Sequence, residues 1–311
     1  MKQVERMRTV LAGRVPDRVP ASFWFHFPDD QAHGEASVKA HIEYYRQVQP
    51  DFLKIMNEHP YRSEIQLKNP TDWRKLKPAP LKSEFFQAQL DEIKQISDIL
   101  QGECLTTTTI FNPFSSGNHA SGHRVTQHLK ADPQSVSIGL AVIAESLAEF
   151  ALACLDAGAD GIYFSAQGGE ADRFSEHEFL QFIKPHDLAV LKGINEKGEL
   201  NILHICGDNI RLHLYCDYPG HVINWAETSP SNLSLKAGKR LFNRPILGGL
   251  DNRGVIVNGK PTEIESAIHA IIRSFGPENL IIGADCTLPT DIDREKIRLA
   301  IEAPGTYPMP A

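Results

Sequence analysis

The chain has 311 residues, of which 41% are apolar and 23% are charged. This composition is close to the average for soluble globular proteins and argues against long disordered or fibrous segments. Lys and Arg together number 32 and Asp and Glu 39, so the net charge is −7 at pH 7, which argues against a nucleic-acid-binding protein that relies on an overall basic surface.

The sequence predicts a cytoplasmic protein with no membrane partner. Residues 1–13 carry four charged side chains and lack an apolar core of the length found in signal peptides. No run approaches the roughly 18 uncharged apolar residues of a membrane span. The cysteines are scattered and odd in number, so reduced thiols are expected rather than a disulfide framework. They are Cys104, Cys154, Cys206, Cys216 and Cys286.

Eight hydrophobic runs of strand length recur along the chain, and longer helical patterns separate them. Several runs are β-branched or aromatic nearly throughout, as in parallel strands that are buried on both faces. The eight predicted strands are 19–26, 52–57, 104–111, 161–165, 201–206, 222–225, 245–249 and 280–284.

Helical patterns lie between these runs. Residues 135–157 are rich in Ala, Leu and Glu, and residues 261–274 begin with Thr262 as the expected N-cap. Eight strands alternating with helices predict a single-domain (β/α)8 TIM barrel over residues 1–311. The runner-up fold, an open doubly wound sheet, is expected to show a Gly-rich phosphate turn after an early strand, and the sequence has none.

The connection after the third predicted strand is polar and rich in histidine. Residues 112–128 therefore predict a loop over the active site, since barrel enzymes place their functional loops after the strands. His119, His123 and Arg124 in this segment are candidates for binding an anionic ligand. An ordinary solvated loop is the alternative.

The sharpest candidate site combines His204, Cys206 and Cys286. Residues two apart in a strand face the same side, so His204 and Cys206 project together at the end of the fifth predicted strand. Cys286 follows the eighth predicted strand and can reach the same mouth of a barrel. One imidazole and two thiolates suit tetrahedral zinc, with a fourth position left for water or substrate.

The residues alone leave a second interpretation open. Cysteine is among the most often buried residue types, and a histidine near a strand end is commonly just hydrogen-bonded. The fifth and eighth predicted strands are also not neighbours in an eight-stranded barrel, so Cys286 must lie on a segment that leans across.

Five segments resemble the uroporphyrinogen decarboxylase superfamily, and specifically its corrinoid-dependent methyltransferase branch, the methylcobamide:coenzyme M methyltransferases and their relatives. The last three of them are the specific ones. The segments are 14–20 (RVPDRVP), 158–161 (GADG), 203–207 (LHICG), 248–251 (GGLD) and 283–289 (GADCTLP).

The resemblance implies a zinc-dependent methyltransferase on a (β/α)8 barrel. It implies His204, Cys206 and Cys286 as zinc ligands that activate the acceptor of a methyl group. Methylcobamide on a small corrinoid protein would be the methyl donor. The acceptor would be a small molecule such as coenzyme M, homocysteine or tetrahydrofolate.

The decarboxylase branch of the same superfamily is the alternative, with a tetrapyrrole or related carboxylated substrate. Members of that branch have an arginine-containing element after the first strand. At the corresponding place this chain has residues 25–29 (FHFPD). It also has an aspartate where this chain has Asn57 and Glu58, and a histidine where it has Cys286. The loss of paired arginines argues against binding of a four-carboxylate porphyrinogen.

Other polar residues at predicted strand ends are secondary candidates. Glu227 is expected to be a fourth zinc ligand or to orient His204, with a solvated glutamate as the alternative. Asp251 is expected to hold a substrate group or to cap the next helix. The remaining candidates for the pocket wall or mouth, each with surface exposure or a turn role as the alternative, are His26, Gln167, Glu170 and Asp285.

Overall fold

Seven parallel strands form one curled sheet in which every strand pairs with its neighbour in the sequence. The computed structural model describes residues 1–308. The sheet order is β1 to β7 without a crossover, as expected for consecutive β–α–β units. The strands are β1 Phe52–Ile55, β2 Leu105–Phe111, β3 Gly161–Ala166, β4 Ile202–Ile205, β5 Val222–Trp225, β6 Ile246–Leu250 and β7 Leu280–Ala284.

Residues 19–25 close the barrel between β7 and β1 without forming a regular strand. Ala21 makes a parallel bridge to Ile282 on β7, and Phe25 makes another to Leu288. On the other side, the Asp51 N–H donates to the carbonyl of Ala21 over 3.0 Å. The predicted strand 19–26 is therefore wrong as a regular strand, although the segment occupies the eighth position. Pro20 has no N–H to donate, which breaks the ladder.

Helices cover the outside of this sheet, and the (β/α)8 TIM-barrel prediction is confirmed. Within residues 1–308 the α-helices are α1 Gln3–Leu11, α2 Gly34–Val48, α3 Glu84–Leu100, α4 Pro113–Ala120, α5 Val125–Ala131, α6 Pro133–Asp156, α7 Glu176–Phe182, α8 Lys184–Leu191, α9 Leu235–Phe242, α10 Val255–Asn258, α11 Pro261–Phe275 and α12 Arg294–Glu302. Short 3-10 turns lie at Asp29–Gln31, Pro70–Lys75, Leu212–Tyr215 and Ala303–Thr306.

The helix α6 is the most apolar element of the structure. By length and composition alone it could cross a membrane, with a mean hydropathy of 1.9 over its most apolar window. Half of that window is buried inside the fold, and Phe150 stacks on Phe86 of α3 with ring centroids 4.3 Å apart. The apolar face of α6 thus covers the barrel, as the helical pattern of residues 135–157 predicts.

The histidine-rich segment 112–128 is mostly helical, within α4 and α5, where the sequence predicts a loop. Asn112 caps α4 by accepting a hydrogen bond from the Ser115 N–H over 3.0 Å, and Pro113 occupies the first helical position. Both residues are start signals for a helix. The helix α11 agrees with its predicted range, but its N-cap is Lys260 rather than Thr262.

Candidate metal centre

His204 and the two cysteines of the predicted site meet at the carboxyl end of the sheet. His204 lies on β4 between Ser165 of β3 and Asn224 of β5. Cys206 follows β4, and its N–H donates to the Ala166 carbonyl over 2.9 Å. Cys286 follows β7, two strands away from β5. Because all the strands are parallel, their ends open at the same mouth.

The three candidate ligand atoms lie within 4.8 Å of one another. Cys286 Sγ is 3.7 Å from His204 Nε2. His204 is buried, whereas Cys206 and Cys286 are partly exposed at the cavity. We call His204, Cys206 and Cys286 the ligand cluster. One nitrogen and two sulfurs at this separation form a donor set that suits tetrahedral zinc and leaves one coordination position for another molecule.

Asn224 determines which nitrogen of the His204 ring carries the proton. The Asn224 amide nitrogen donates to the carbonyls of Leu247 and Ala284, over 2.9 and 3.1 Å, so its oxygen must face His204. That oxygen lies 2.5 Å from His204 Nδ1 and also accepts a hydrogen bond from the Tyr163 hydroxyl over 2.9 Å. Nδ1 is therefore the protonated nitrogen, and in the neutral ring Nε2 presents its lone pair to the sulfurs.

The pKa values of the two thiols are shifted in opposite directions. A hydrogen bond from Cys206 holds the pKa of the Cys286 thiol far below its usual range. The same hydrogen bond, together with burial, raises the pKa of Cys206. One thiolate is thus already stabilised at neutral pH, and a divalent cation would take the place of the remaining proton.

Asp285 fixes the segment that carries Cys286. Its N–H donates to the Leu250 carbonyl over 2.9 Å, and its carboxylate accepts from the N–H groups of Glu227 and Thr228 and from the Thr228 hydroxyl. Burial raises the pKa of Asp285 to about 6. The carboxylate therefore joins the ends of β5 and β7 behind the ligand cluster, a positioning role rather than a ligand role.

Glu227 does not join the ligand cluster. Its carboxylate accepts a hydrogen bond from the Leu235 N–H at the start of α9 over 3.4 Å. In the structure Asn224, and not Glu227, contacts Nδ1 of His204. Burial raises the pKa of Glu227, and the nearby Asp285 acts in the same direction.

The ligand cluster opens into a small cavity of about 170 Å³. Lys54, Thr109, Tyr163 and Gln167 line it together with the cluster. A wider cleft of about 660 Å³ lies next to it and is lined by His119, His123 and Arg62, among others. The two spaces share the lining residues His26, Asn57 and Phe111, so the small cavity continues into the wide cleft.

The remaining predicted residues fall into two groups. Gln167 lines the small cavity, and His26, His119 and His123 line the wide cleft, where His26 Nδ1 pairs with Glu58 over 2.5 Å. Asp251 is exposed and accepts from the Arg253 N–H over 2.8 Å within a turn, whereas the N-cap of the next helix, α10, is Gly254. Glu170 packs against Gly207 and forms an ion pair with Arg173 over 3.0 Å.

Sequence reasoning missed three residues that the structure places around the cluster. Asn224 and Tyr163 lie within predicted strands, and the Tyr163 ring stacks on His204 with centroids 5.3 Å apart. Lys54 lies on β1, is only 5% exposed and places its ammonium 4.1 Å from the centroid of the Tyr163 ring. A lysine inside an otherwise apolar strand run is the signal that could have identified this position.

A second group of ligand-type side chains consists of His33, His59 and Glu92. The Glu92 carboxylate already accepts hydrogen bonds from the Gly34 N–H over 2.6 Å and from the Ser37 hydroxyl over 3.3 Å. His59 Nε2 lies 3.0 Å from the same carboxylate. Each Glu92 oxygen therefore has a protein partner, and the group ties α3 to the start of α2.

Comparison with known proteins places this geometry in a family. The curated methylcobamide:CoM methyltransferase MtbA of Methanosarcina mazei is 23% identical over 218 residues, which is 70% of this chain and 63% of that protein. Its counterpart in Methanosarcina acetivorans is 22% identical over 66% of this chain and 60% of that protein. The chain thus aligns with somewhat less than two thirds of the length of these relatives.

Solved structures share the fold at low identity. A methyltransferase from Methanosarcina mazei superposes with a TM-score of 0.76 at 17% identity, covering 98% of both chains. A B12-independent methionine synthase from a Shewanella species gives a TM-score of 0.62 at 13% identity, over 93% of this chain and 96% of that one. The family model described as uroporphyrinogen decarboxylase (URO-D) matches residues 55–307. Since this match covers most of the sequence, the chain belongs to the uroporphyrinogen decarboxylase (URO-D) family.

Proposed function

We propose that this protein is a zinc-dependent methyltransferase that moves a methyl group from a methylated corrinoid, carried on a small corrinoid protein, to a thiol acceptor. The observation that carries this proposal is the convergence of His204, Cys206 and Cys286 at the mouth of the barrel. Two curated relatives also support the proposal, because both are named methylcobamide:CoM methyltransferase.

The ligand cluster suits the activation of a thiol. Zinc bound by one imidazole and two thiolates would accept a further sulfur ligand and lower its pKa, so that the acceptor is held as a thiolate at neutral pH. This chain contributes the ligands, the Asn224 contact that keeps Nε2 of His204 unprotonated, and the Asp285 contacts that hold the segment of Cys286. A thiol is favoured over tetrahydrofolate because a sulfur acceptor matches this soft donor set.

The two connected spaces match two substrates of different size. The small cavity, at about 170 Å³, is below the usual range for drug-sized ligands and suits a compact acceptor. The wide cleft, at about 660 Å³, opens outward and offers a surface on which a corrinoid protein can present its methyl group. His119, His123 and Arg62 on this cleft are suited to hydrogen bonds with the amide and phosphate groups of a corrinoid.

The transfer is a displacement at the methyl carbon. The acceptor thiolate supplies the electron pair for the new sulfur–carbon bond. The cobalt–carbon bond breaks, and its electron pair stays on the corrinoid, so the cobalt goes from Co(III) to Co(I) and the product is a neutral thioether. The barrel holds the two reactants in line and excludes water, which lowers the entropic part of the barrier.

A decarboxylase acting on a carboxylated tetrapyrrole is less well supported. The small cavity holds a single buried cation, Lys54, and no arginine among its lining residues within the described part of the chain. Binding of several substrate carboxylates is expected to require paired guanidinium groups.

The test is a measurement of zinc content and methyl transfer on the same sample. The purified protein should hold about one equivalent of zinc by elemental analysis, and it should demethylate methylcobalamin on addition of a thiol, seen as the spectral change from methylcobalamin to Co(I). Cys286→Ala should lose the zinc and the transfer, because only two ligands remain.

The matched control is Cys216→Ala, which removes an exposed thiol outside the ligand cluster. This variant should keep both the zinc and the transfer activity. The proposal is wrong if the wild-type protein holds no zinc, or if Cys286→Ala transfers methyl groups as fast as Cys216→Ala.

A further inference from the structure

The group of His33, His59 and Glu92 lies beside the wide cleft, apart from the ligand cluster. Their potential ligand atoms lie within 4.8 Å of one another. None of the three residues lines the small cavity or the wide cleft. We call these three residues the rim cluster. The rim cluster is therefore a separate site and not an extension of the ligand cluster.

Three separate parts of the chain bring the rim cluster together. His33 is the exposed N-cap residue of α2, His59 follows β1, and Glu92 lies on α3. The His59 N–H donates to the side-chain oxygen of Asn57 over 3.0 Å, which fixes the segment after β1. The rings of His33 and His59 have centroids 5.0 Å apart and are tilted by 52° to each other. The two imidazoles are therefore neighbours without being stacked face to face.

The carboxylate of Glu92 is buried without a permanent positive charge beside it. Glu92 is 1% exposed, and its only ion-pair partner among residues 1–308 is His59, whose Nε2 lies 3.0 Å away. A carboxylate is seldom fully buried unless it is paired or binds a metal. The Gly34 N–H and the Ser37 hydroxyl also donate to it, as second partners do around metal-binding carboxylates. A cation can therefore replace the proton between His59 and Glu92 while these two hydrogen bonds remain.

We propose that the rim cluster is a second metal site, for Zn²⁺ or a similar divalent transition metal, with His33, His59 and Glu92 as its ligands. Two imidazoles and one carboxylate form a donor set that suits zinc and iron, whereas Ca²⁺ and Mg²⁺ prefer oxygen ligands. Ligand atoms around a tetrahedral zinc ion lie about 3.4 Å apart. His59 and Glu92 are already near this spacing, and the exposed His33 completes the set by a side-chain movement.

A cavity of about 370 Å³ gives a metal ion access to the rim cluster. His33 and His59 line it together with Glu58, Glu84 and Arg62. Its acidic side chains outnumber its one guanidinium group, which favours entry of a cation. The cavity shares Glu58 and Arg62 with the wide cleft. A bound metal would thus hold the segment after β1, which forms part of the rim of that cleft, against α2 and α3.

The rim cluster is expected to bind metal more weakly than the ligand cluster. It contributes no thiolate, and one of its three ligands is exposed. Zinc that copurifies with the protein should therefore occupy the ligand cluster, and the rim cluster should fill when metal is added. This inference does not depend on methyl transfer, because it concerns other residues and a different measurement.

The test is a titration of metal-free protein with Co²⁺. Binding at the ligand cluster should give a sulfur-to-cobalt absorption band, whereas binding at the rim cluster should add d–d absorption without that band. His33→Ala and Glu92→Gln should each weaken the sulfur-free binding by about 100-fold or more, since loss of a ligand costs more than loss of a group that only orients one. Because His33 is exposed, His33→Ala tests the site even if Glu92→Gln does not fold.

The matched control is His177→Ala, which removes an exposed histidine on α7 and should keep the sulfur-free binding. Equal sulfur-free binding by wild type and His33→Ala would overturn the proposal, since the metal would then be bound elsewhere on the surface. Absence of sulfur-free binding in the wild type would overturn it as well. Absence of the sulfur band alone would reject metal binding at the ligand cluster and keep the second site.

A second measurement locates the bound metal. Addition of Zn²⁺ should slow amide hydrogen exchange in residues 56–62 of the wild type, because the metal ties His59 to two helices. His33→Ala should show no such slowing at the same metal concentration. Unchanged exchange in the wild type at saturating Zn²⁺ would contradict a site at the rim cluster.

Discussion

The two sides of the small cavity differ in how many of their polar groups are hydrogen-bonded within the protein. On the side of β4 and β5, the imidazole of His204 and the amide of Asn224 have all their hydrogen bonds within the protein. On the side of β1 and β2, the hydroxyls of Thr107 and Thr109 have no hydrogen-bond partner within residues 1–308, and the ammonium of Lys54 lies against the rings of Trp24 and Tyr163. The first side is pre-organised by hydrogen bonds within the protein, whereas the second is not.

This difference indicates which side of the cavity is suited to hold a metal. A ligand cluster fixed by protein contacts can hold a metal in one geometry before any substrate arrives. The unpartnered hydroxyls of Thr107 and Thr109 contribute binding energy only when a molecule that can hydrogen-bond to them enters. Disturbing the partnered side should therefore affect the metal.

The largest effect is expected from loss of the Asn224 contact. Asn224→Ala removes the group that keeps the proton of His204 on Nδ1, so zinc affinity should fall by about 10- to 100-fold. Competition with a chelating dye on folded protein measures this. Tyr163→Phe removes only the hydroxyl that donates to Asn224 and should cost a few-fold at most. Unchanged zinc affinity in Asn224→Ala would show that the partnered side is not what holds the metal geometry.

A smaller effect is expected at the segment that carries Cys286. Asp285→Ala removes the carboxylate that binds the N–H groups of Glu227 and Thr228, so Cys286 should become less well positioned. Zinc affinity should drop by several-fold without loss of any ligand, measured with the same chelator competition. Asp291→Ala, at an exposed position in the same connection, serves as the control. A wild-type affinity in Asp285→Ala would limit this carboxylate to a role in the turn.

The smallest effect concerns a buried carboxyl group that has hydrogen-bond partners but no cation. Asp187 accepts from Asn112 over 3.0 Å and from the Tyr218 hydroxyl over 2.9 Å, and burial raises its pKa to about 8. Between about pH 4 and pH 8 the native protein thus holds a proton that the unfolded chain releases. Because the unfolded chain binds fewer protons in this window, the contribution of Asp187 to stability falls as the pH rises.

Replacement of Asp187 by Asn should remove this contribution and keep the shape of the side chain. The Tm of Asp187→Asn relative to wild type is expected to increase from pH 4 to pH 8, by a few degrees. Thermal unfolding at several pH values measures the difference. A constant difference across the window would mean that Asp187 is ionised in the native state, so that hydrogen bonds alone are sufficient to stabilise a buried charge here.

The sequence predicted the fold and the ligand cluster because both depend on local patterns. The strand runs alternate with helices, and the His-x-Cys spacing places His204 and Cys206 on one face of a strand end. Their convergence with Cys286 follows from the parallel order of the strands. The polar and histidine-rich composition of residues 112–128 favours a loop, whereas Asn112 and Pro113 are helix-start signals that the structure follows.

The contacts that complete the site depend on the packing of distant strands. Asn224 orients His204 only because β5 lies beside β4 and because two carbonyls from β6 and β7 fix its amide. Lys54 lies against two aromatic rings only because β1 faces Trp24 and Tyr163 inside the barrel. No spacing rule in a single sequence expresses either condition, so the sequence points to Glu227 for a contact that Asn224 makes.

Residues 19–25, which close the barrel, also contact the segment that carries Cys286. The stretch that bridges β7 to β1 carries Trp24, whose carbonyl accepts the N–H of Leu288 over 3.0 Å, just two residues beyond Cys286. A single backbone contact thus couples the position of Cys286 to the stretch that closes the barrel. A disturbance of residues 19–25 should therefore shift a sulfur of the ligand cluster, although none of these residues is a candidate ligand.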